Sequence, residues 1–239
     1  MGVGLNVEQI GALVTVEVSN GPDNEFTKEM CLELTDLLMR PPHEAKVLLL
    51  SASGESFCNG RDRSGQSASE IRSMALALAE VNIALIYSRL AVVAKVSGDA
   101  KGFGVGLAGL ADVAIAVEGA RFCFPEVNSG FAPALVLAWL PYVIGRRESF
   151  RMASTGATLT AREAQRLGLL NEVVSAGDLD ERVNAVVSSL LAVPESVGAH
   201  IKSDLLVQDW LAMKEDSYAA VERLSLRTVM LTEKRALIS

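Results

Sequence analysis

Two apolar segments, Val47–Leu50 and Ala91–Val96, each run straight into a glycine-bearing loop. A strand that is apolar at consecutive positions is covered on both faces, which is the pattern of a buried parallel sheet rather than a half-exposed antiparallel one. Such a sheet needs crossover helices. The stretches Phe26–Arg40, which stops before Pro41-Pro42, and Ile71–Tyr87 have the helical apolar spacing to supply them. Ser67 and Glu70 stand at capping-box spacing ahead of the second.

The remaining elements fit the same α/β plan. Ala12–Ser19 alternates through Val14, Val16 and Val18 and reads as a strand, followed by turn chemistry at Asn20–Asn24. Ser51–Gly65 reads as loop. Val113–Val117, Arg121–Phe124 and Glu172–Val174 read as short strands, and the small, apolar Gly102–Leu110 as a helix. Thr160 and Glu163 form a second capping box, and Gly168 is expected to end that helix. Asp178–Ala192, Pro194–Met213 and Lys214–Ile238 are expected helices. No internal repeat at a fixed period is evident. The expected organisation is a core over residues 1–190 and a helical region over 191–239.

Composition excludes whole classes of function. The chain has 239 residues, 50% hydrophobic and 21% charged, with a net charge of −7. Disorder and a disulfide scaffold are excluded, and an acidic balance argues against a nucleic-acid partner. Cys31, Cys58 and Cys123 are odd in number and far apart, which points to a reducing compartment and to no CxxC site. The N-terminus lacks the pattern of an export signal, and the longest apolar stretches are too short for a bilayer. A cytoplasmic protein without membrane insertion is expected. With only His43 and His200 available, neither a Ser-His-Asp system nor a zinc site is expected.

The candidate chemistry sits in the two loops, Ser56–Asp62 and Gly98–Gly106. Loops at the carboxyl ends of parallel strands build ligand sites, and free N–H groups at a helix start favour negative charge. Facing each other, two such loops would hold an oxygen that becomes anionic during reaction. The alternative reading of the Gly-x-Gly spacing is close helix packing. The spacing fits neither the dinucleotide fingerprint nor a phosphate loop. Glu126 follows the apolar Phe122-Cys123-Phe124-Pro125. In an apolar pocket its pKa would rise and make it a general base; the alternative is a solvated glutamate at a strand end.

Taken in order, these segments resemble the crotonase superfamily, the enoyl-CoA hydratase/isomerase family. The resemblance runs from about Val14 to Leu206. It rests on Phe57-Cys58-Asn59-Gly60-Arg61-Asp62, on Ser97–Gly104 followed by Ala111-Asp112-Val113, and on Phe122–Glu126 with Gly130 and Pro133. Glu163–Val174 completes it. The resemblance implies a spiral of ββα turns with C-terminal helices that form a trimer, or a hexamer as a dimer of trimers. It implies an acyl-CoA thioester as substrate, with coenzyme A entering as part of that substrate and no separate cofactor. By position, the thioester oxygen would be held by the backbone N–H groups of Arg61 and Phe103, with Glu126 as the acid–base group. Asn59, Gly60 and Gly102 would border the substrate. Lys202 falls where the family often has a lysine near the CoA phosphates, or else is a solvated helix lysine.

One departure bears on the reaction. Family hydratases use two glutamates about twenty residues apart, and the earlier one falls at Gly106, which has no side chain. Members that move a double bond from the 3 to the 2 position work with the later glutamate alone. The sequence therefore fits an isomerase better than a hydratase. Asp99 is a candidate substitute acid for the hydratase alternative. Decarboxylation, thioester hydrolysis and silent acyl-CoA binding are further alternatives on the same scaffold. Phe103, Asn59 and Arg61 replace smaller residues: Phe103 is expected to reshape the pocket, and Arg61 to crowd it or to bind an anionic group, while the Ala68–Tyr87 helix and Phe131–Trp139 are the expected pocket walls.

Overall fold

The computed structural model describes residues 4–64, 67–206 and 210–236. The chain opens with a hairpin, β1 (Gly4–Ile10) and β2 (Leu13–Ser19), paired antiparallel. β2 buries Val14, Val16 and Val18 completely while its alternate residues stay partly exposed, as its alternation predicts. α1 (Lys28–Met39) follows, capped by the Thr27 hydroxyl, which accepts from the Met30 N–H at 3.3 Å. β3 (Val47–Ala52) then joins β2 in parallel.

From here the chain repeats one move. A strand joins the large sheet, a short strand joins a second sheet, and a helix returns. β3 is followed by β4 (Ser56–Cys58) and α2 (Ala68–Tyr87). Then come β5 (Ala91–Val96), β6 (Asp99–Lys101) and α3 (Phe103–Gly109). β7 (Val113–Val117) and β8 (Arg121–Cys123) lead into a 3-10 turn, Pro125–Ser129. A second 3-10 turn (Val136–Ala138), α4 (Leu140–Ile144), α5 (Arg146–Thr155), β9 (Leu159–Thr160) and α6 (Ala161–Arg166) complete this region. β10 (Glu172–Val174) closes the large sheet, whose order is β1-β2-β3-β5-β7-β10; the small sheet runs β4-β6-β8-β9. This is a spiral of ββα turns, as the resemblance implies.

Two short strands, β4 and β6, lie where the sequence reads as loop, and β1 lies where the sequence reading assigns no element. β4 and β6 are only three residues long, and each is held by a parallel neighbour rather than by its own propensity. β1 is mostly exposed and gains its order from the hairpin with β2.

The C-terminal region consists of α7 (Leu179–Ala192), α8 (Glu195–Leu206) and α9 (Trp210–Ala236). The expected break at Met213 is displaced: Met213 lies inside α9 and is fully buried. α9 packs along α2 through Ala75, Ala79 and Val221, and an Arg72–Glu222 ion pair adds to it. The Tyr218 hydroxyl donates to Glu80 at 2.8 Å. α2 is therefore covered on one side by α1 and on the other by α9. This explains why its apolar residues run nearly all the way round rather than along one stripe.

Candidate active site

The parallel pairing of β4, β6 and β8 places three chain segments side by side. Ser56 pairs with Asp99, Cys58 with Ala100, Ala100 with Phe122 and Lys101 with Cys123. In a parallel sheet the carboxyl ends emerge along one edge. Gly60-Arg61, Gly102-Phe103 and Glu126 thus meet there. The Gly60 Cα lies 3.9 Å from where a Cβ on Gly102 would stand, and the Glu126 carboxylate 3.5 Å from the same point.

Backbone donors are exposed by this arrangement. Arg61 forms a parallel bridge with Phe26, in which the Phe26 N–H donates to the Gly60 carbonyl at 3.0 Å and the Asp62 N–H to the Phe26 carbonyl at 2.8 Å. That register uses the groups flanking Arg61 and turns its own N–H away from Phe26. Phe103 is the first residue of α3, so its N–H is one of the helix's unpaired starting donors. Gly102 precedes it at φ 52° and ψ −112°, a conformation that a side chain makes costly. The Phe103 ring stands edge-on to Phe26, with centroids 5.2 Å apart. Gly104 carries the close approach of α3 to β4, since a Cβ there would overlap the Cys58 carbonyl.

Glu126 is aimed by the 3-10 turn. Pro125 starts it, and Gly130, at φ 79°, ends it. The Phe131 N–H donates to the Glu126 carbonyl at 3.0 Å. Burial pushes the Glu126 carboxyl above its ordinary pKa; its own N–H and the charges of Arg63 and Arg61 act against that rise. Burial holds the Arg61 guanidinium below its ordinary value, and the nearby charge of Arg63 adds to the effect.

These groups line a cavity of about 230 Å³. Its walls are largely apolar and include Ile71 and Leu78 of α2, Trp139, and Leu224 of α9. Glu126 is the one carboxylate among its described lining residues. Two loop N–H groups beside a partly buried carboxylate suit a reaction that builds negative charge on a carbonyl oxygen while a proton leaves the adjacent carbon.

Comparison with known proteins decides the family. Residues 8–232 match the model of the enoyl-CoA hydratase/isomerase family. The chain belongs to this family. A Rhodobacter capsulatus protein named "Probable enoyl-CoA hydratase" is 35% identical over 184 residues, covering 75% of this chain and 71% of that one. A Mycobacterium leprae protein of the same description is 31% identical, over 69% of this chain and 60% of its own length. Among solved structures, an enoyl-CoA hydratase from Mycobacterium smegmatis superposes with a TM-score of 0.81 at 25% identity, covering 97% of this chain and 96% of that one.

Within this crotonase-type scaffold, Gly106 lines the cavity and has close neighbours of its own. A Cβ on Gly106 would stand 3.3 Å from Asn82 Oδ1 and 3.5 Å from the Trp139 ring. Asn82 and Trp139 are both on the cavity wall, in the two segments, Ala68–Tyr87 and Phe131–Trp139, that the sequence reading takes as walls without singling out either residue. The available signal was one amide inside the apolar run Val81–Tyr87.

The other sequence-derived residues divide. Asn59, Gly60, Arg61, Gly102, Phe103 and Glu126 all line the cavity. The Asn59 amide nitrogen is occupied, donating to Asp23 at 2.6 Å and to the Ser56 hydroxyl at 3.1 Å, which fastens the loop. Lys202 stands apart from the cavity lining and is not a solvated helix lysine. Its ammonium donates to Asp112 at 2.7 Å and to the carbonyls of Leu85 and Leu90 at 3.0 and 2.9 Å, which uses all three hydrogens. Asp99 also lies outside the cavity lining, and its carboxylate accepts from the Arg121 N–H at 3.1 Å. Both histidines are exposed and absent from the cavity wall. Burial pushes the Cys58 thiol up to about 12, far from a nucleophilic thiolate. Among the described residues no metal-binding cluster and no helix long and apolar enough to cross a membrane is present.

Proposed function

We propose that the protein shifts the double bond of an enoyl-CoA from the 3 to the 2 position with Glu126 as the single proton carrier. The observation that carries this reading is that Glu126 is the lone carboxylate among the described residues of the cavity wall, where Gly106 offers no side chain and lies against Asn82 and Trp139. The thioester oxygen accepts hydrogen bonds from the Arg61 and Phe103 N–H groups. Glu126 removes a proton from C2, and the electron pair of that bond spreads through a dienolate onto the thioester oxygen. Glu126 then returns the proton to C4 as the C2=C3 bond forms. Each N–H donor is worth about 2.7–4 kcal/mol in a transition state of this kind. Acyl-CoA as the ligand class is supported by the family and by a Thermobifida fusca structural neighbour in complex with acetoacetyl-CoA, 26% identical with a TM-score of 0.79.

The hydratase reading is favoured by the names of the relatives. A 3-enoyl-CoA and a 2-enoyl-CoA incubated separately in heavy-oxygen water distinguish the two. Unlabelled 2-enoyl product supports isomerisation; labelled 3-hydroxyacyl product replaces it with hydration; intact thioesters sink both. Assembly through the C-terminal region belongs to the same reading. Val197, Ile201 and Leu205 form an exposed apolar stripe on α8, 45%, 55% and 70% accessible, suited to a subunit contact in a trimer or hexamer. Light scattering of wild type against Leu205→Glu tests it, a monomer in the variant being expected.

A further inference from the structure

Asn82 has no part in the reaction just described, yet it is built into the cavity. The residue is 3% exposed, and its Oδ1 has no hydrogen-bond partner among the described residues. Buried amide oxygens are nearly always paired, so an orphan in a ligand cavity points to a group that arrives with the ligand. The neighbours on α2 give Asn82 no polar company: Val81, Ile83, Ala84 and Leu85 are all buried and apolar.

Its position relative to Glu126 is fixed by α3. The Glu126 carboxylate stands over Gly102 and Asn82 stands over Gly106. Those glycines are four residues apart at the start of the helix, about 6 Å along its axis. The amide and the carboxylate therefore share one wall, a helical turn apart.

We propose that Asn82 is a specificity-determining residue that accepts a hydrogen bond from a hydroxyl on the acyl chain beyond C2, so that hydroxylated acyl-CoAs are preferred over plain hydrocarbon chains. This rests on the acyl-CoA reading given above. A plain chain filling the cavity sheds water from Oδ1 and leaves it unpaired, whereas a hydroxyl in reach restores the bond. A site built to pair with a hydroxyl rejects the analogue that lacks it far more strongly than an apolar pocket rejects an added one. The amide is neutral and does not titrate, so its task is recognition and not proton transfer.

Calorimetric binding to the intact protein tests this with hexanoyl-CoA, each enantiomer of 3-hydroxyhexanoyl-CoA, and 6-hydroxyhexanoyl-CoA. None of these carries a double bond to shift, so the affinity ratios are independent of the isomerase reading; a hydratase would dehydrate a 3-hydroxy ligand, so each mixture is assayed for 2-enoyl-CoA, and a preference confined to a ligand that is dehydrated overturns the proposal. At least one hydroxylated ligand is expected to bind about tenfold more tightly than hexanoyl-CoA, the worth of one neutral hydrogen bond in a dry site. Asn82→Leu, of the same branched shape, is expected to erase that ratio, weakening the hydroxylated ligand and strengthening hexanoyl-CoA. Equal wild-type affinities, as a permanently bound water on Oδ1 would produce, overturn the proposal. So does a ratio that survives in Asn82→Leu, or failure of every thioester to bind. Should that variant not fold, the wild-type ratios decide alone. Loss of isomerisation with the hydroxyl preference intact removes the isomerase reading and leaves this one standing.

Discussion

The carboxylate of Glu126 stands 3.5 Å from the point that a Cβ on Gly102 would occupy. Gly102 thus serves two needs at once. At φ 52° it turns the chain into α3, and by lacking a side chain it leaves room for the carboxylate. Gly102→Ala should lower stability by about 1–3 kcal/mol through backbone strain. It should also cost more than tenfold in kcat, because straining the turn displaces the Phe103 N–H that follows it. Thermal unfolding and steady-state kinetics of the same preparation check both; a fully active variant would show that the turn at Gly102 does not set the position of that donor.

Glu126→Gln keeps shape and removes the proton acceptor. The expected loss in kcat is about 10²–10⁴, the usual worth of a positioned acid–base group, with acyl-CoA affinity retained. Stability should not fall. The carboxyl pKa is raised in the fold, so Glu126 binds its proton more tightly folded than unfolded, and its contribution to stability declines as pH rises through that raised value. Above that window the neutral amide is as good or better. A lower melting temperature at pH 8 would contradict this.

The same shift sets the acid limb of activity. Glu126 acts as a base only when ionised, and burial has moved its titration upward. Activity should therefore fail on acidification at a higher pH than an ordinary glutamate would dictate. Arg63 pulls the other way, favouring the carboxylate. Arg63→Ala should push the limb of kcat/KM further upward, and added salt should shift the wild type in the same direction because Arg63 is exposed. A downward move on either treatment would refute the assignment.

Lys202 should matter for folding. Its side chain is 13% exposed, and its hydrogens join α8 to the end of α2, the start of β5 and Asp112. Lys202→Met leaves Asp112 facing only the Val92 N–H, from which it accepts at 2.7 Å. Breaking such a pair costs about 3–5 kcal/mol when fully buried, and the partial exposure of Asp112 brings the expectation to about 2–3 kcal/mol, or roughly 5–10 °C. Asp112→Asn, which keeps an acceptor, should cost less. Calorimetry of both variants checks the order, and CoA affinity in Lys202→Met should be unchanged.

Local rules carried much of the fold. Capping boxes at Ser67/Glu70 and Thr160/Glu163 form as their spacing predicts, and β10 occupies Glu172–Val174. What local pattern did not carry is pairing. β4 and β6 exist because each finds a neighbour, and three residues hold too little propensity to announce that. The spiral itself escaped a search for repeats because β3, β5 and β7 begin at unequal intervals, residues 47, 91 and 113. At the site, Gly60, Gly102 and Glu126 were legible only as a set, since each alone also reads as a turn, close helix packing or a strand-end glutamate, and it is the order and spacing of the motifs that joins them. The walls were legible as segments, Ala68–Tyr87 and Phe131–Trp139, but not as Asn82 and Trp139 in particular, whose juxtaposition arises only when α2 and the segment after Glu126 meet over Gly106. Lys202 shows the converse: an exposed-looking helical lysine that tertiary packing claims for itself.

The donors at Arg61 and Phe103 belong to the main chain, so substitution leaves them in place so long as the β4–β6 register and the Gly102 turn hold. This separates two kinds of heredity in one pocket. On the proposed mechanism the power to polarise a carbonyl is stored in topology, whereas the side chains at positions 61 and 103 only shape the pocket around it. A saturation library at those two positions would redraw the list of accepted acyl groups while the underlying chemistry survived in most members.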